Sequence, residues 1–594
     1  QVLAHRWLAS LGNIFILLCF RMGNAIECAP DGPSWPEIGT AAANLGQRSH
    51  PKQDRPDLGY GTAGFRTKAE VLDHVMYRMG ILAALRSKCL QGQAIGVMIT
   101  ASHNPECDNG VKLVDPLGDM LPIDWEARAA RIANAADADL AKVVNELAVE
   151  VGADVGVNAV VIVGRDTRAS STPLALAVVD GIGAVQPATA WSIGVVSTPQ
   201  LHYMVRCQNT KGAYGKPSLE GYFEKLVGQF VEFIAATDAK EEDSAKKRQV
   251  FSAKVCVDCA NGVGAKVMEA GMPLLKGKLE QSQSGLRYDL RVANSGEGGL
   301  NAGCGADFVK VQQRAPAGVE LSADERGVSF DGDADRIVYF CNNSGKFALL
   351  DGDRIATLLA DYISKELALC QCTNLRLGIV QTAYANGAST AFVAAQIPKE
   401  NIVCAKTGVK HLHHEAQEMD IGVYFEANGH GTVVFSDKFV SSVTAAKENP
   451  ETAGPARRLL LLRDVINETV GDAFSDFLAV EAVLYAMGIS AADWLALYAD
   501  LPNRQLKVTV KDRSVFETTN AERTCVKPPG LQAAIDALVA ATPGGLARSF
   551  VRPSGTEDVV RVYAEAETQA AMEQLALEVS RSVYDRAGGV GARP

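Results

Sequence analysis

From about Leu58 onward the chain alternates short apolar, β-prone runs with longer stretches of helical period. The runs Ile95–Thr100, Ala159–Gly164, Val255–Asp258, Leu377–Val380 and Ile421–Phe425 each lie near a glycine-rich or polar turn. That rhythm predicts α/β units with mixed or parallel sheets, whose strand-end loops are where ligands bind. Residues 28–58 are rich in Pro, Gly, Asn and Asp without a sustained period, and read as an unstructured lead-in. Breaks are expected at Asn209–Ser218, after the strand Ile337–Asn342, and at the polar run Ala445–Ala456. The expected division is an extension over 1–57, disordered or artefactual, and four segments at 58–215, 216–345, 346–470 and 471–594.

The apolar stretch Trp7–Phe20 follows His5 and Arg6 and has the length of a signal-peptide core. It is short of the ~20 residues a membrane span needs, and no small-x-small cleavage site follows. Since the first residue is Gln1, residues 1–21 read first as a fragment or gene-model artefact with Met22 a candidate start, then as a signal, and last as an anchor.

At 594 residues the chain is several domains long, with an ordinary soluble composition of 47% hydrophobic and 21% charged residues. A formal charge of −11 disfavours nucleic acid or an acidic membrane as the main partner, so an anionic substrate needs a local basic pocket. Thirteen scattered cysteines argue against a secreted disulfide framework and for a reducing, cytoplasmic setting.

Five loops carry candidate chemistry. Thr100-Ala-Ser-His-Asn-Pro105, at the end of a strand, exposes the hydroxyl of Ser102 among residues that permit tight turns; alone it is equally a capped turn. Asp331-Gly-Asp-Ala-Asp-Arg336 sets three carboxylates at alternate positions before an apolar strand. Two like charges ~4 Å apart repel by roughly 4 kcal/mol at an effective dielectric of 20, so a hard divalent cation is the natural remedy. An EF-hand is excluded, because the twelfth position is Asn342 rather than Glu. Phe425-Glu-Ala-Asn-Gly-His-Gly431 gathers an acid, an amide and an imidazole suited to sugar hydroxyls. Arg552-Pro-Ser-Gly-Thr556, with Arg561 following, suits a phosphate dianion. Tyr60-Gly-Thr-Ala-Gly-Phe-Arg66 can bring Arg66 up to a phosphoryl group.

Three other features read as structural. Cys256 and Cys259 have zinc or redox spacing but no second pair; His411, His413 and His414 fit a helix start; and Asn261-Gly-Val-Gly264 resembles a dinucleotide fingerprint whose third glycine is replaced by Val267.

With all five loops in this order, the chain resembles the α-D-phosphohexomutase superfamily and, within it, the phosphoacetylglucosamine mutase family, from about Leu58 to the C-terminus. Subfamily marks are Glu426-Ala-Asn-Gly-His430, Thr407-Gly-Val-Lys-His411, Gln381-Thr-Ala-Tyr-Ala-Asn-Gly387 and Cys304-Gly-Ala-Asp-Phe-Val-Lys310. The stretches Gln281–Gly303 and Val440–Leu461, and Cys107, depart from the pattern. The resemblance implies four domains around a central cleft, three α/β with mixed sheets and a smaller C-terminal α+β domain. It implies interconversion of N-acetylglucosamine 6-phosphate and 1-phosphate through a phosphoserine and a sugar 1,6-bisphosphate, on the way to UDP-N-acetylglucosamine. Ser102, Asp331, Asp333 and Asp335 would hold Mg²⁺, one per site, and Glu426, Ala427 and Asn428 the sugar. Arg552, Pro553, Ser554, Gly555, Thr556 and Arg561 would hold the non-reacting phosphate. Arg66 would face the phosphoryl group, and Lys112, His103 and His430 remain open as proton carriers. Gly429 is expected to leave room for an acetyl group. Glucose- or mannose-phosphate mutases are the nearest alternative, and a catalytically silent scaffold the distant one.

Overall fold

The computed structural model describes residues 34–61, 64–238, 247, 250–282, 284–554 and 558–594. All five apolar runs are strands, most of them fully buried. In the first sheet Ala94–Ile99 pairs in parallel with Ala159–Arg165 and antiparallel with Asp108–Val114, and Phe65–Lys68 and Ala188–Val195 form the edges. Helices Asp73–Cys89 and Ser171–Gly183 cover one face, so close together that a Cβ on Gly181 would lie 1.9 Å from Tyr77 O. Helix Thr198–Asn209 covers the other, packing Leu201 and Val205 on Ala94 and Met98. A strand covered on both faces needs apolar residues at every position, which is why Ala94–Ile99 reads as a continuous run.

The second sheet has the order Lys346–Leu350, Ile337–Asn343, Arg326–Phe330, Lys254–Asp258, Asp289–Ala293. The third has the order Ile402–Ala405, Leu377–Thr382, Ile421–Phe425, Gly431–Phe435. Both are mixed, and they share one hydrophobic core. The last sheet is antiparallel, with Val559–Glu565 between Asn503–Thr509 and Arg548–Pro553, and has its own core under helix Gln569–Arg586. Two candidate loops, 331–336 and 426–430, are thus connections between antiparallel neighbours, and Arg552 and Arg561 lie on the antiparallel strands Arg548–Pro553 and Val559–Glu565.

Several expectations are corrected. Residues 35–49 are not an unstructured lead-in but the helix Trp35–Ser49, with a capping box between Ser34 and Glu37. Ile38 and Ala42 are buried, the Tyr77 hydroxyl donates to Ala42 O at 2.7 Å, and a Cβ on Gly39 would lie 2.9 Å from Ala141 O in helix Leu140–Glu150. The apolar positions Trp35, Ile38, Ala42 and Leu45 form a helical stripe that the nearby Pro and Gly residues concealed. A boundary at 346 would cut the hairpin in which Lys346 faces Asn343. The run Ala445–Ala456 joins helices Asp437–Lys447 and Ala453–Val465 inside the third segment. Helix Ala473–Met487, expected in the last segment, packs in the shared central core, where Glu481 holds Arg326. The stretch Trp7–Phe20 lies outside the described residues, and none of the described helices is long and apolar enough to cross a membrane.

After the N-terminal helix, His50 lies between Asp73, at 3.0 Å, and Asp180, at 3.1 Å. Burial lowers its pKa, but the two carboxylates outweigh burial and raise it to about 9. A pKa above the unfolded value contributes stability that is complete below that value and lost as pH rises through the folded one. Stability should therefore fall between about pH 6.5 and 9, with a slope that His50→Gln removes in pH-dependent melting. A chain beginning at Arg55 loses the helix and should melt at least ~4 °C lower, at roughly 2–4 °C per kcal/mol for a unit of this size.

Candidate active site

Ser102 follows the buried strand Ala94–Ile99 and has a left-handed φ of 51°, uncommon for a residue with a side chain. The strain is over-determined. Thr100 Oγ1 accepts from Ser102 N at 2.9 Å. The carbonyls of Ser102 and Asn104 each accept from Arg168 Nη2, at 3.1 and 2.8 Å, and from Asn301 Nδ2, at 3.0 and 3.1 Å. Arg168 is itself held by Asp166, which also accepts from Ser171 Oγ at 2.5 Å. Gly332 has no room for a side chain, because a Cβ there would lie 2.5 Å from Ser102 O. The serine loop therefore lies directly on the acidic loop, and Ser102 Oγ donates to Asp331 Oδ2 at 2.5 Å.

Asp331, Asp333 and Asp335 are buried, and one oxygen from each lies within 4.8 Å of the others. Lys112 Nζ bridges Asp333 at 3.2 Å and Asp335 at 3.0 Å, and Thr198 Oγ1 donates to Asp333 at 2.6 Å. Arg336 Nε lies 3.8 Å from Asp331 and 3.7 Å from Asp335. Burial pushes the Asp331 carboxyl well above the usual range, and Asp335 and Asp333 add to it. Burial acts on Asp333 too, but Lys112 and Thr198 outweigh it and hold that group well below the range. Lys112 stays charged, its burial more than offset by Asp333 and Asp335. Even so, Asp333 Oδ1 and Asp335 Oδ1 are buried without a hydrogen-bond partner. Orphaned carboxylate oxygens in a cluster of three acids fit a hard divalent cation, with Asp331, Asp333, Asp335 and Ser102 as its oxygen donors.

The sugar loop packs against the strand that follows the acids: Gly429 O accepts from Ile337 N at 3.1 Å. Gly429 has φ 86°, and a Cβ on it would lie 1.8 Å from Ile337 O. Its missing side chain thus serves this backbone approach and not space for an acetyl group, which corrects the expectation. Glu426 Oε1 accepts from Gly408 N at 3.1 Å, Asn428 Nδ2 donates to Glu426 at 3.3 Å, and Asn428 Oδ1 accepts from His430 N at 3.0 Å. Ala427 completes this turn. His430 is buried, with Nδ1 3.7 Å from Asp335, and burial lowers its pKa. His103 Nδ1 is 3.5 Å from Ser102 Oγ; Arg336, burial and Arg66 keep the ring neutral.

Arg66, Lys112, Asp335, Arg336, Gly408, Glu426, His430 and Arg552 line one solvent-open cavity. Arg66 is held over the serine loop by a bond from Nη1 to Asn104 Oδ1 at 3.2 Å. Arg552 and Arg561 face each other across adjacent strands, and Arg561 Nε is buried without a hydrogen-bond partner. Opposed cations destabilise a strand pair unless an anion lies between them, which suits a phosphate. Pro553 ends the strand and Ser554 is buried, whereas Gly555 and Thr556 lie outside the described residues.

Family models match the chain along its length. They are described as phosphoglucomutase/phosphomannomutase alpha/beta/alpha domain I over 80–140 and 131–214, and phosphoacetylglucosamine mutase AMG1 domain II over 217–338. Domain III of the latter matches 351–489, and the phosphoglucomutase/phosphomannomutase C-terminal domain matches 517–582. The phosphoacetylglucosamine mutase of Sus scrofa is 51% identical over 92% of this chain and 97% of its own length. That of Homo sapiens is 49% identical over the same shares, 92% and 97%. The chain belongs to the phosphoacetylglucosamine mutase family. Solved members superpose well: an N-acetylglucosamine-phosphate mutase of the α-D-phosphohexomutase superfamily, in its substrate complex, has TM-score 0.84 and 44% identity over 92% of this chain and 99% of that one. The Aspergillus fumigatus enzyme in complex with GlcNAc-6P and magnesium has TM-score 0.82 and 43% identity over 93% and 99%. A serine-to-alanine variant of that enzyme, in complex with glucose 1,6-bisphosphate, gives TM-score 0.82 and 42% identity over the same 93% and 99%.

Sequence reasoning missed the residues that hold the phosphomutase loops in place. Asn301 lies in a stretch set aside as variable, and Arg168 and Thr198 belong to no motif; only Arg336 was visible, as the last residue of the acidic loop. Asn301→Ala removes two of the four bonds to the Ser102 and Asn104 carbonyls. Misplacing a reacting group by ~1 Å costs on the order of 100-fold, so mutase turnover should fall about 10- to 100-fold while the melting temperature shifts by only a few degrees.

Proposed function

We propose that the chain interconverts N-acetylglucosamine 6-phosphate and N-acetylglucosamine 1-phosphate, with Ser102 as the phosphoryl carrier and a sugar 1,6-bisphosphate as intermediate. One observation carries the reading: Ser102 Oγ lies 2.5 Å from Asp331, one of three clustered buried acids, and another of them, Asp335, lines a cavity that also receives Glu426 and Arg552. The mutase relatives and the complexes of solved members with GlcNAc-6P, magnesium and glucose 1,6-bisphosphate support it.

Phosphoryl transfer leaves a protein little to do except position groups and neutralise charge. Arg66, Arg336 and Lys112 surround the serine loop and face the charge of the transferring group. Ser102, Asp331, Asp333 and Asp335 would hold Mg²⁺, one per site, which would supply further positive charge. Phospho-Ser102 passes its phosphoryl group to the free sugar hydroxyl, whose proton goes to one of the neutral rings His103 and His430, while Lys112, held in its charged form, can only donate one. The bisphosphate turns over, and the original phosphate returns to Ser102 while Arg552, Ser554 and Arg561 hold the other. Glu426, Ala427 and Asn428 grip the sugar in both orientations. Four domains, the first contributing two loops and each of the others one, would form the cleft. The free cysteines of the described residues support a reducing, cytoplasmic setting.

A ³¹P NMR time course with N-acetylglucosamine 6-phosphate, Mg²⁺ and a trace of bisphosphate should show the 1-phosphate resonance growing in. Ser102→Ala should lose nearly all turnover, and substantial residual activity would sink the carrier role. Wild type should prefer N-acetylglucosamine phosphate over glucose phosphate by at least ~10-fold in kcat/KM, because polar groups built for the acetamido group are left unpaired by the analogue. Asn428→Ser should narrow that preference. Equal efficiency on both sugars would leave only the broader phosphohexomutase activity.

A further inference from the structure

The turn 520–523 joins the two strands of a small hairpin, Glu517–Thr519 and Thr524–Lys527. Asn520, Ala521 and Glu522 have φ of 54°, 52° and 67°. Consecutive left-handed residues with side chains are strained, and persist only where their surroundings over-determine them. Here the bonds of Glu522 do so. Its Oε1 accepts from Arg552 Nε at 2.8 Å, and its Oε2 accepts from Thr407 N at 3.0 Å and Thr407 Oγ1 at 2.5 Å. The next amide, Gly408 N, donates to Glu426 at 3.1 Å. A continuous path thus runs from the phosphate-loop arginine through Glu522 and one peptide to the sugar-loop carboxylate. Two residues further, Lys410 Nζ donates to Leu121 O at 2.7 Å and ties the same loop to the first sheet's segment.

We propose that Glu522 is a positioning residue that fixes the Arg552 guanidinium and sets the spacing between the phosphate grip and the sugar grip. The inference rests on the sugar-phosphate reading of the cavity. A carboxylate on the Nε edge orients the guanidinium plane, and bidentate recognition of a phosphate depends on that plane. Both Glu522 oxygens face donors only, so no rotamer of a glutamine at 522 avoids setting an N–H against another N–H or O–H.

In Glu522→Gln the KM for N-acetylglucosamine 6-phosphate should rise at least ~10-fold while kcat changes by less than about 3-fold, the signature of lost ground-state grip. Thr407→Ser keeps both donors and should match wild type. Thr407→Val, of similar volume, should raise KM about 3-fold and carries the same test if Glu522→Gln does not fold. In an Arg552→Ala background, adding Glu522→Gln should change KM by less than about 2-fold, because the two act as one unit. An unchanged KM in Glu522→Gln, or a loss that multiplies in full on Arg552→Ala, would overturn the proposal. The KM ratio should be the same with glucose 6-phosphate, so a wild type that does not discriminate between sugars refutes the substrate reading and not this one. Inorganic phosphate titrated calorimetrically gives the comparison without turnover: wild type should bind at least ~5-fold more tightly than Glu522→Gln, and equal binding counts against Glu522.

Discussion

Three carboxylates buried within reach of one another repel, and much of the surrounding structure answers that repulsion. Lys112 comes from the first sheet, Arg336 from the acidic loop itself and Thr198 from the N-terminus of a helix, each contacting one or two of the acids. The compensation is incomplete, since two carboxylate oxygens remain buried without partners. A site that leaves such oxygens without a donor from the protein holds its charge ready for a cation and for the phosphoryl group that a cation attracts. Ser102 is bonded to Asp331, whose carboxyl burial and the neighbouring acids push well above the usual range.

The rest of the molecule brings four loops to this point and keeps them at fixed distances. Backbone contact does much of it: the serine loop rests on Gly332, and the sugar loop on Ile337. Side chains do the remainder. Arg168 and Asn301 clamp the serine loop from two different segments, and the stretch Thr407–Lys410 touches the first segment, the sugar loop and the hairpin turn that bears Glu522 within four residues. The proposed bisphosphate intermediate, which would present each of its two phosphates in turn to Ser102, requires such fixed spacing between the grips.

The sequence made the strands, the acids and the phosphate arginines legible because each has a local signature: a continuous apolar run, alternating carboxylates, and a guanidinium beside small residues. It did not disclose Asn301, Thr198 or Glu522, whose roles arise from contacts between segments 100 to 200 positions apart and leave no local pattern. The N-terminal helix was hidden for a different reason. Its stripe of Trp35, Ile38, Ala42 and Leu45 is regular, but the surrounding Pro and Gly dominated the composition. Gly429 shows that a glycine in a motif can be explained by a neighbouring backbone as readily as by a ligand. The segment boundaries were displaced because the second and third sheets share one core, which local turn signals do not reveal.

The central claim is that the buried acids form a cation site on which Ser102, the proposed phosphoryl carrier, depends. Its most direct test is the melting temperature of the metal-stripped protein as Mg²⁺ is added. Binding to the folded state alone stabilises by RT ln(1 + [L]/Kd), about 2.7 kcal/mol at 100 times Kd. The account predicts a saturable rise for wild type that is abolished in Asp333→Asn. A wild-type melting temperature independent of Mg²⁺, or an equal rise in Asp333→Asn, would contradict it.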